Sequence, residues 1–201
     1  MDKICNRPWN NFNNNYSTWN YRKLNKNCFR YSAGVLPYTF DQNGKCLFML
    51  GKDLDGDWSD FGGRSELTDK NEPLNTASRE FYEETLGSIM NIQECLDKIK
   101  NDNVVKIVSK TLNGSPYYMY LVYIDYINYT DTFLKMSNFI KYSFSYEKKN
   151  KILEKTSIRW VSMDTLINCI ENNDNRLISL RGIFLKTIIN CRDQLQFLQQ
   201  T

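Results

Sequence analysis

The sequence predicts an α/β domain, a mixed β-sheet with helices on its faces, preceded by an N-terminal extension. Three observations lead there. β-rich runs stand on both sides of a strongly helical central segment, the pattern of a sheet covered by helices. The 201 residues, 41% hydrophobic and 24% charged, suit one domain able to bury a real core. No internal repeat and no Pro/Gly-rich linker divides the chain, so residues 1–30 are read as the extension and 31–201 as the domain.

Along the domain, Ala33 to Phe40 and Lys45 to Gly51 read as strands joined through Asp41-Gln-Asn-Gly44, whose Asn-Gly is a strong hairpin signal. A polar segment, Lys52 to Ser59, leads into Asp60-Phe61-Gly62-Gly63-Arg64, where paired glycines imply a special backbone conformation or a close approach. From about Leu74 the period becomes helical: Leu74, Ala77 and Phe81 form one apolar stripe, and Gly87 supplies a stop. Ile92 to Lys100 reads as a short helix. Val104 to Thr111 and Tyr117 to Tyr126 read as strands joined through Asn113-Gly114, and Ser157 to Ser162 as a further strand. Helices are expected from about Met163 to Glu171 and from Leu177 to Phe197.

Composition excludes several chemistries. The chain has no histidine, so a Ser-His-Asp triad, a Cys-His dyad and an imidazole-ligated zinc site are all ruled out. Acid-base work falls to carboxylates, lysine, tyrosine or a metal-activated water. The six cysteines are scattered without a CxxC pair, which reads as reduced thiols in a cytoplasmic setting. The first residues lack the apolar run of a signal peptide, and no apolar stretch approaches membrane-spanning length, so no membrane association is expected. The sequons at Asn15, Asn113 and Asn128 are accordingly taken as accidents of composition.

The chemistry concentrates in Arg79-Glu80-Phe81-Tyr82-Glu83-Glu84. At 100° per residue Glu80, Glu83 and Glu84 share one helix face, and three like charges there are unfavourable unless a cation compensates them. Oxygen donors without Cys or His nearby select a hard ion, Mg²⁺ first, with Mn²⁺ or Ca²⁺ possible by ligand type. Arg79 either pairs with Glu83 at i+4 or turns back to orient the carboxylates, and the glycines ahead of the helix leave a backbone carbonyl free to approach the same ion. With Arg and Glu each near about 6% of residues, R-E-x-x-E-E arises by chance only roughly a few times in a thousand such chains.

At these residues the sequence resembles the Nudix hydrolases, whose box reads G-x5-E-x7-R-E-U-x-E-E-x-G-U with U aliphatic. Residues Arg79 to Glu84 match the helix half, with aromatic Phe81 in the first U position. Gly63 lies two residues further from Arg79 than the pattern has it, Glu72 one residue nearer, and Gly87 one residue late. Asp60 to Glu66 looks like the family's strand-to-loop entry, and Arg159-Trp160-Val161 before a helix looks like a later part of the domain. The resemblance implies an α/β/α sandwich and Mg²⁺-dependent hydrolysis of a diphosphate. It implies metal ligation by Glu80, Glu83, Glu84 and the Gly63 carbonyl, with Glu83 and Glu84 catalytic. The general base is a box glutamate or one nearer the C-terminus; Glu154 is the expected residue and Glu147 the runner-up.

Charge is uneven. Residues 1–30 carry Lys3, Arg7, Arg22, Lys23, Lys26 and Arg30 against Asp2 alone, among Trp9, Phe12, Tyr16, Trp19 and Tyr21. Such a segment can follow a nucleic-acid backbone and stack bases, with Arg22, Lys23, Lys26 and Arg30 as phosphate contacts; a solvated arm packed on the domain is the alternative. An Asn-, Lys-, Ile- and Tyr-rich composition, this basic aromatic extension and an enlarged Nudix domain together look like the mRNA-decapping Nudix proteins of large DNA viruses. Capped RNA is therefore the first expected substrate. Small nucleoside diphosphate derivatives or inositol pyrophosphates come next, and a non-catalytic nucleotide- or RNA-binding module is the reading of another class.

Overall fold

The computed structural model describes residues 31–101, 104–172 and 178–197. Seven strands form one mixed sheet: β1 (Ser32–Phe40), β2 (Cys46–Asp53), β3 (Trp58–Ser59), β4 (Phe61–Arg64), β5 (Val105–Lys110), β6 (Pro116–Tyr123) and β7 (Lys155–Ser162). β1 runs parallel to β6, and every other pairing is antiparallel. Both expected turns form: Gly44 (φ +77°) and Gly114 (φ +78°) take the left-handed conformation that the Asn-Gly signals require.

The helices are α1 (Pro73–Glu84), α2 (Ile92–Asn101), α3 (Tyr129–Ser143), α4 (Tyr146–Ile152), α5 (Met163–Asn172), α6 (Gly182–Asn190) and α7 (Arg192–Phe197). Side chains alternate across the sheet and so feed two cores. On one face Ala33, Val35, Met49, Phe61 and Val122 pack under Ala77 and Phe81 of α1, Cys95 and Ile99 of α2 and Phe133 of α3. On the other, Leu36, Phe48, Leu50, Met119 and Leu121 pack under Leu166 of α5, Phe184 and Ile188 of α6 and Leu195 of α7. A sheet with helices on both faces is the α/β/α sandwich that the sequence predicts.

Several elements differ from expectation. The polar segment Lys52–Ser59 is partly sheet, because β2 runs on to Asp53 and Trp58–Ser59 pairs back to it. The expected helix from Leu177 to Phe197 is instead two helices that break at Cys191, after Ser179 and Arg181 have bonded to the Trp58 backbone. Helix α3 went unread because its apolar residues alternate with exposed Phe139 and Tyr142, blurring the helical stripe. Cys46, Cys95, Cys169 and Cys191 are buried thiols, in keeping with the scattered spacing. Among the described residues, no helix is long and apolar enough to cross a membrane.

Candidate active site

The site is built where two central strands part. β1 and β2 pair only over Tyr38–Phe40 and Cys46–Phe48. Beyond that, β3 continues beside β2 and β4 beside β1, so the segment Trp58 to Arg64 fills the opening between them. The paired glycines serve close approach rather than an unusual φ. A Cβ on Gly62 would lie 2.7 Å from the Gly34 Cα and 2.8 Å from the Ala33 carbonyl oxygen. One on Gly63 would lie 2.5 Å from the Glu80 carboxylate. Helix α1 therefore rests the Glu80 and Glu84 carboxylates directly on the glycine strand.

The helix is fixed there by its sequence. Pro73 opens it, and Ala77 and Phe81 anchor it, with Phe81 edge-on to Phe61 at 5.4 Å between ring centroids. It stops at Glu84, and Leu86 (φ +56°) and Gly87 (φ +62°) both turn left-handed, with the Gly87 N–H donating to the Tyr82 carbonyl at 2.8 Å.

Arg79 performs both roles that its position allows. Its Nη1 lies 2.9 Å from Glu80 Oε1 and 2.9 Å from Glu83 Oε2. Its Nε donates to Asp69 Oδ1 at 3.0 Å, and its Nη2 to Asp69 Oδ2 at 3.1 Å and to the Arg64 carbonyl at 2.9 Å. Asp69 is held in turn by Thr76 Oγ1 and the Glu66 N–H, both at 2.8 Å. Burial works against the charged forms, but this mutual pairing outweighs it: Asp69 titrates below the usual carboxylate range and Arg79 above its own. Glu72, the acid nearest the box position, instead caps the N-terminus of α1 with no side-chain cap bond.

The three helix carboxylates are not equivalent. Glu80 and Glu84 are buried, while the Glu83 side chain is 55% exposed at the rim. Burial first, and neighbouring carboxylates after it, push Glu80 up to about 7 and Glu84 up to about 8. Glu84 Oε2 accepts from the Gly62 N–H at 2.8 Å, and its Oε1 lies 3.3 Å from the buried Lys155 ammonium. Beneath them burial raises Asp60 to about 6, although the Tyr117 hydroxyl donates to it.

Gly63, Arg79, Glu80, Glu83 and Glu84 thus lie together, as the sequence leads one to expect. Glu154 precedes β7, is exposed, and contributes to the raised pKa of Glu80. Glu147 is exposed on the first turn of α4. Arg22, Lys23, Lys26 and Arg30 lie outside the described residues. Sequence reasoning missed Asp69, whose signal was the Glu66-x-x-Asp69 capping box, and Lys155, which sits at the end of a lysine-rich run that reads as solvated surface.

The donor set suits a hard divalent ion. Glu80 and Glu83 already share one cationic nitrogen, and the missing Cβ of Gly63 leaves the space in which the Glu80 carboxylate lies. Among the described residues no three acidic or thiol side chains converge as a cage for an ion; Arg79 lies against Glu80 and Glu83, and Lys155 against Glu84.

No family model and no curated protein matches the chain. Among solved structures it is similar to RenU, a Nudix hydrolase from M. smegmatis (13% identity, 83% of this chain and 86% of that one, TM-score 0.47). It is similar also to a C. elegans Ap4A hydrolase binary complex (13%, 82% and 98%, TM-score 0.46). A third is the C-terminal domain of mouse MUTYH in complex with human PCNA (12%, 83% and 90%, TM-score 0.47). Identities and TM-scores of this size assign no chemistry, and function is read from the side chains.

Proposed function

We propose that the chain is a Nudix-type pyrophosphohydrolase that cleaves a diphosphate linkage with Mg²⁺, or Mn²⁺ in its place. The observation that carries this reading is the meeting of Glu80 and Glu83 at one Arg79 nitrogen, with the Glu80 carboxylate lying against the side-chain-free Gly63. Glu80, Glu83 and Glu84, with the Gly63 carbonyl, are the oxygens available to the ion. When bound, such an ion neutralises phosphoryl oxygens and makes a water nucleophilic near neutral pH.

The chain's own residues supply the rest. Arg79, anchored on Asp69, orients Glu80 and Glu83. Glu154, exposed immediately before β7, is the residue we assign to take the proton from the attacking water; its charge, which adds to the raised pKa of Glu80, supports it over Glu147. The 5′ cap of mRNA is the substrate we assign first, on the strength of the basic, aromatic N-terminal segment.

The test is ³¹P NMR of reactions with capped RNA, free cap analogue, nucleoside diphosphate derivatives and inositol pyrophosphate. Cleavage of at least one is expected with Mg²⁺ or Mn²⁺ and none in EDTA. Glu84→Gln should lower kcat by on the order of 100-fold with the fold intact. A panel left wholly uncut would favour the binding-module reading, and full turnover in chelator would overturn the metal.

A further inference from the structure

We propose that helices α3 and α4, which stand between β6 and β7, form a docking surface for single-stranded RNA, with bases stacking on exposed aromatic rings and phosphates meeting the lysines between them. The proposal rests on the hydrolase reading above and gives the RNA chain behind the cap a place on the domain.

One side of the helix pair is fixed. Phe133 and Ser137 of α3 are buried, and Thr130 Oγ1 donates to the Ile158 carbonyl of β7 at 2.9 Å. Leu153, just past α4, is buried too. Between these anchors the chain faces solvent: all eight residues from 141 to 148 are exposed, and α4 buries none of its side chains. This stretch and the turn before it hold Phe139 (65% exposed), Tyr142 (89%), Phe144 (40%) and Tyr146 (72%). Four large rings presented to water so close together mark a surface made for a partner.

The charge on this surface selects a polyanion. Residues 133–153 carry Lys135, Lys141, Lys148, Lys149 and Lys151 against Glu147 alone. Cation and ring are interleaved. At 100° per residue Lys135, Phe139 and Tyr142 fall on one stripe of α3, and the Lys149 ammonium lies 5.5 Å from the centroid of the Tyr146 ring. That order suits a strand whose phosphates and unpaired bases alternate, because every base offers a π-face to a ring. A duplex keeps its bases stacked inside and offers the rings nothing. A lipid surface asks for rings and cations on opposite faces of a helix, whereas the lysines of α4 spread round its axis. Like charge excludes the basic N-terminal segment as the occupant, and a two-fold contact with a second copy would set lysine against lysine.

The surface leads into the site. From Ile152 the chain passes through Leu153 and Glu154 to Lys155, whose Nζ lies 3.3 Å from Glu84 Oε1. RNA held along α3 and α4 thus keeps its 5′ end within reach of the carboxylate helix.

The test measures binding of a labelled, uncapped single-stranded RNA to the full chain by fluorescence anisotropy in EDTA. Tyr142→Ala combined with Tyr146→Ala should weaken binding about 10-fold or more, while the same RNA annealed as a duplex stays within about twofold. Lys141→Gln, Lys148→Gln and Lys151→Gln together should lower the slope of log K against log salt by about two, at roughly 0.7 for each single-strand contact. All five side chains are exposed, and circular dichroism checks that the fold is kept. Both variants should hydrolyse small diphosphates with Mg²⁺ as wild type does. Single-stranded RNA that wild type fails to bind, or that both variants bind as wild type does, would overturn the surface and leave the hydrolase reading standing. Equal losses on single strand and duplex would overturn the stacking of bases on the rings. Weakened binding to phosphatidylserine-containing vesicles with RNA binding unchanged would overturn the proposal in favour of a membrane. A chain that binds RNA through these residues yet cleaves no diphosphate would overturn the hydrolase reading alone.

Discussion

A Cβ on Gly63 would stand 2.5 Å from the Glu80 carboxylate, so strand β4 and helix α1 touch where a side chain is replaced by a charge. The obstructing atoms are the far end of a flexible side chain, and Gly63→Ala should push the carboxylate aside without unfolding the chain. The expected outcome is a fall in kcat of about 10- to 100-fold with stability within about 1 kcal/mol of wild type. Gly62→Ala meets backbone on the neighbouring strand instead, at Gly34 and Ala33. It should cost about 1–3 kcal/mol in urea denaturation. Unimpaired turnover by Gly63→Ala would mean that Glu80 is not where the chemistry happens.

The Arg79 fork spans Asp69 on one side and Glu80 with Glu83 on the other, a reach that a single ammonium cannot reproduce. Arg79→Lys should therefore lower kcat by about 10-fold or more. Asp69→Asn should remove about 3 kcal/mol of stability, because it leaves a half-buried guanidinium short of its carboxylate. If Arg79 were only a solvated i,i+4 partner of Glu83, Arg79→Lys would change stability by a few tenths of a kcal/mol and turnover hardly at all.

The helix half of this arrangement was legible because it is local: i, i+3 and i+4 spacing places Arg79, Glu80, Glu83 and Glu84 without knowledge of the sheet. The same spacing cannot say which carboxylate is buried. That depends on how Phe81 and Ala77 seat the helix on Phe61 and β4, and Glu83 proves to be at the rim. Lys155 was invisible for a different reason. Its partner Asp53 lies 102 residues earlier, and the pairing depends on a bulge and on Gly51, neither of which leaves a pattern in the neighbouring sequence. Helices α5 and α2 carry clean apolar stripes and were read within a residue or two, whereas the segment through Cys191 was read as one helix although its end is set by packing.

For the substrate, the basic N-terminal segment makes a separate prediction. If capped RNA is cleaved, Arg22, Lys23, Lys26 and Arg30 contact phosphates that a free cap analogue lacks. Replacing all four by Ala should weaken capped-RNA binding and spare small diphosphates, with each lost contact lowering the slope of log K against log salt by about one. Filter binding from low to moderate salt reads this directly. A quadruple variant that cleaves capped RNA as well as wild type would make a small diphosphate the better substrate.

The buried carboxyls predict how stability follows pH in the absence of divalent ions. Burial, ahead of neighbouring charge, raises Asp60 to about 6, Glu80 to about 7 and Glu84 to about 8. Between the ordinary carboxyl value and these raised values, the folded chain binds more protons than the unfolded one. Stability is therefore full below about pH 4.5 as far as these groups are concerned, and is lost as pH climbs towards about 8. Asp69 acts in the opposite sense, but its lowered pKa confines that effect to more acid solution. In EDTA the thermal midpoint should fall by about 5 °C or more from pH 5.5 to pH 8, since a domain of this size loses roughly 2–4 °C per kcal/mol. A divalent ion prefers ionised carboxylates, so 10 mM Mg²⁺ should raise the midpoint more at pH 8 than at pH 5.5. A midpoint in EDTA that rises across this interval would mean that Glu80 and Glu84 are charged and satisfied without any ion.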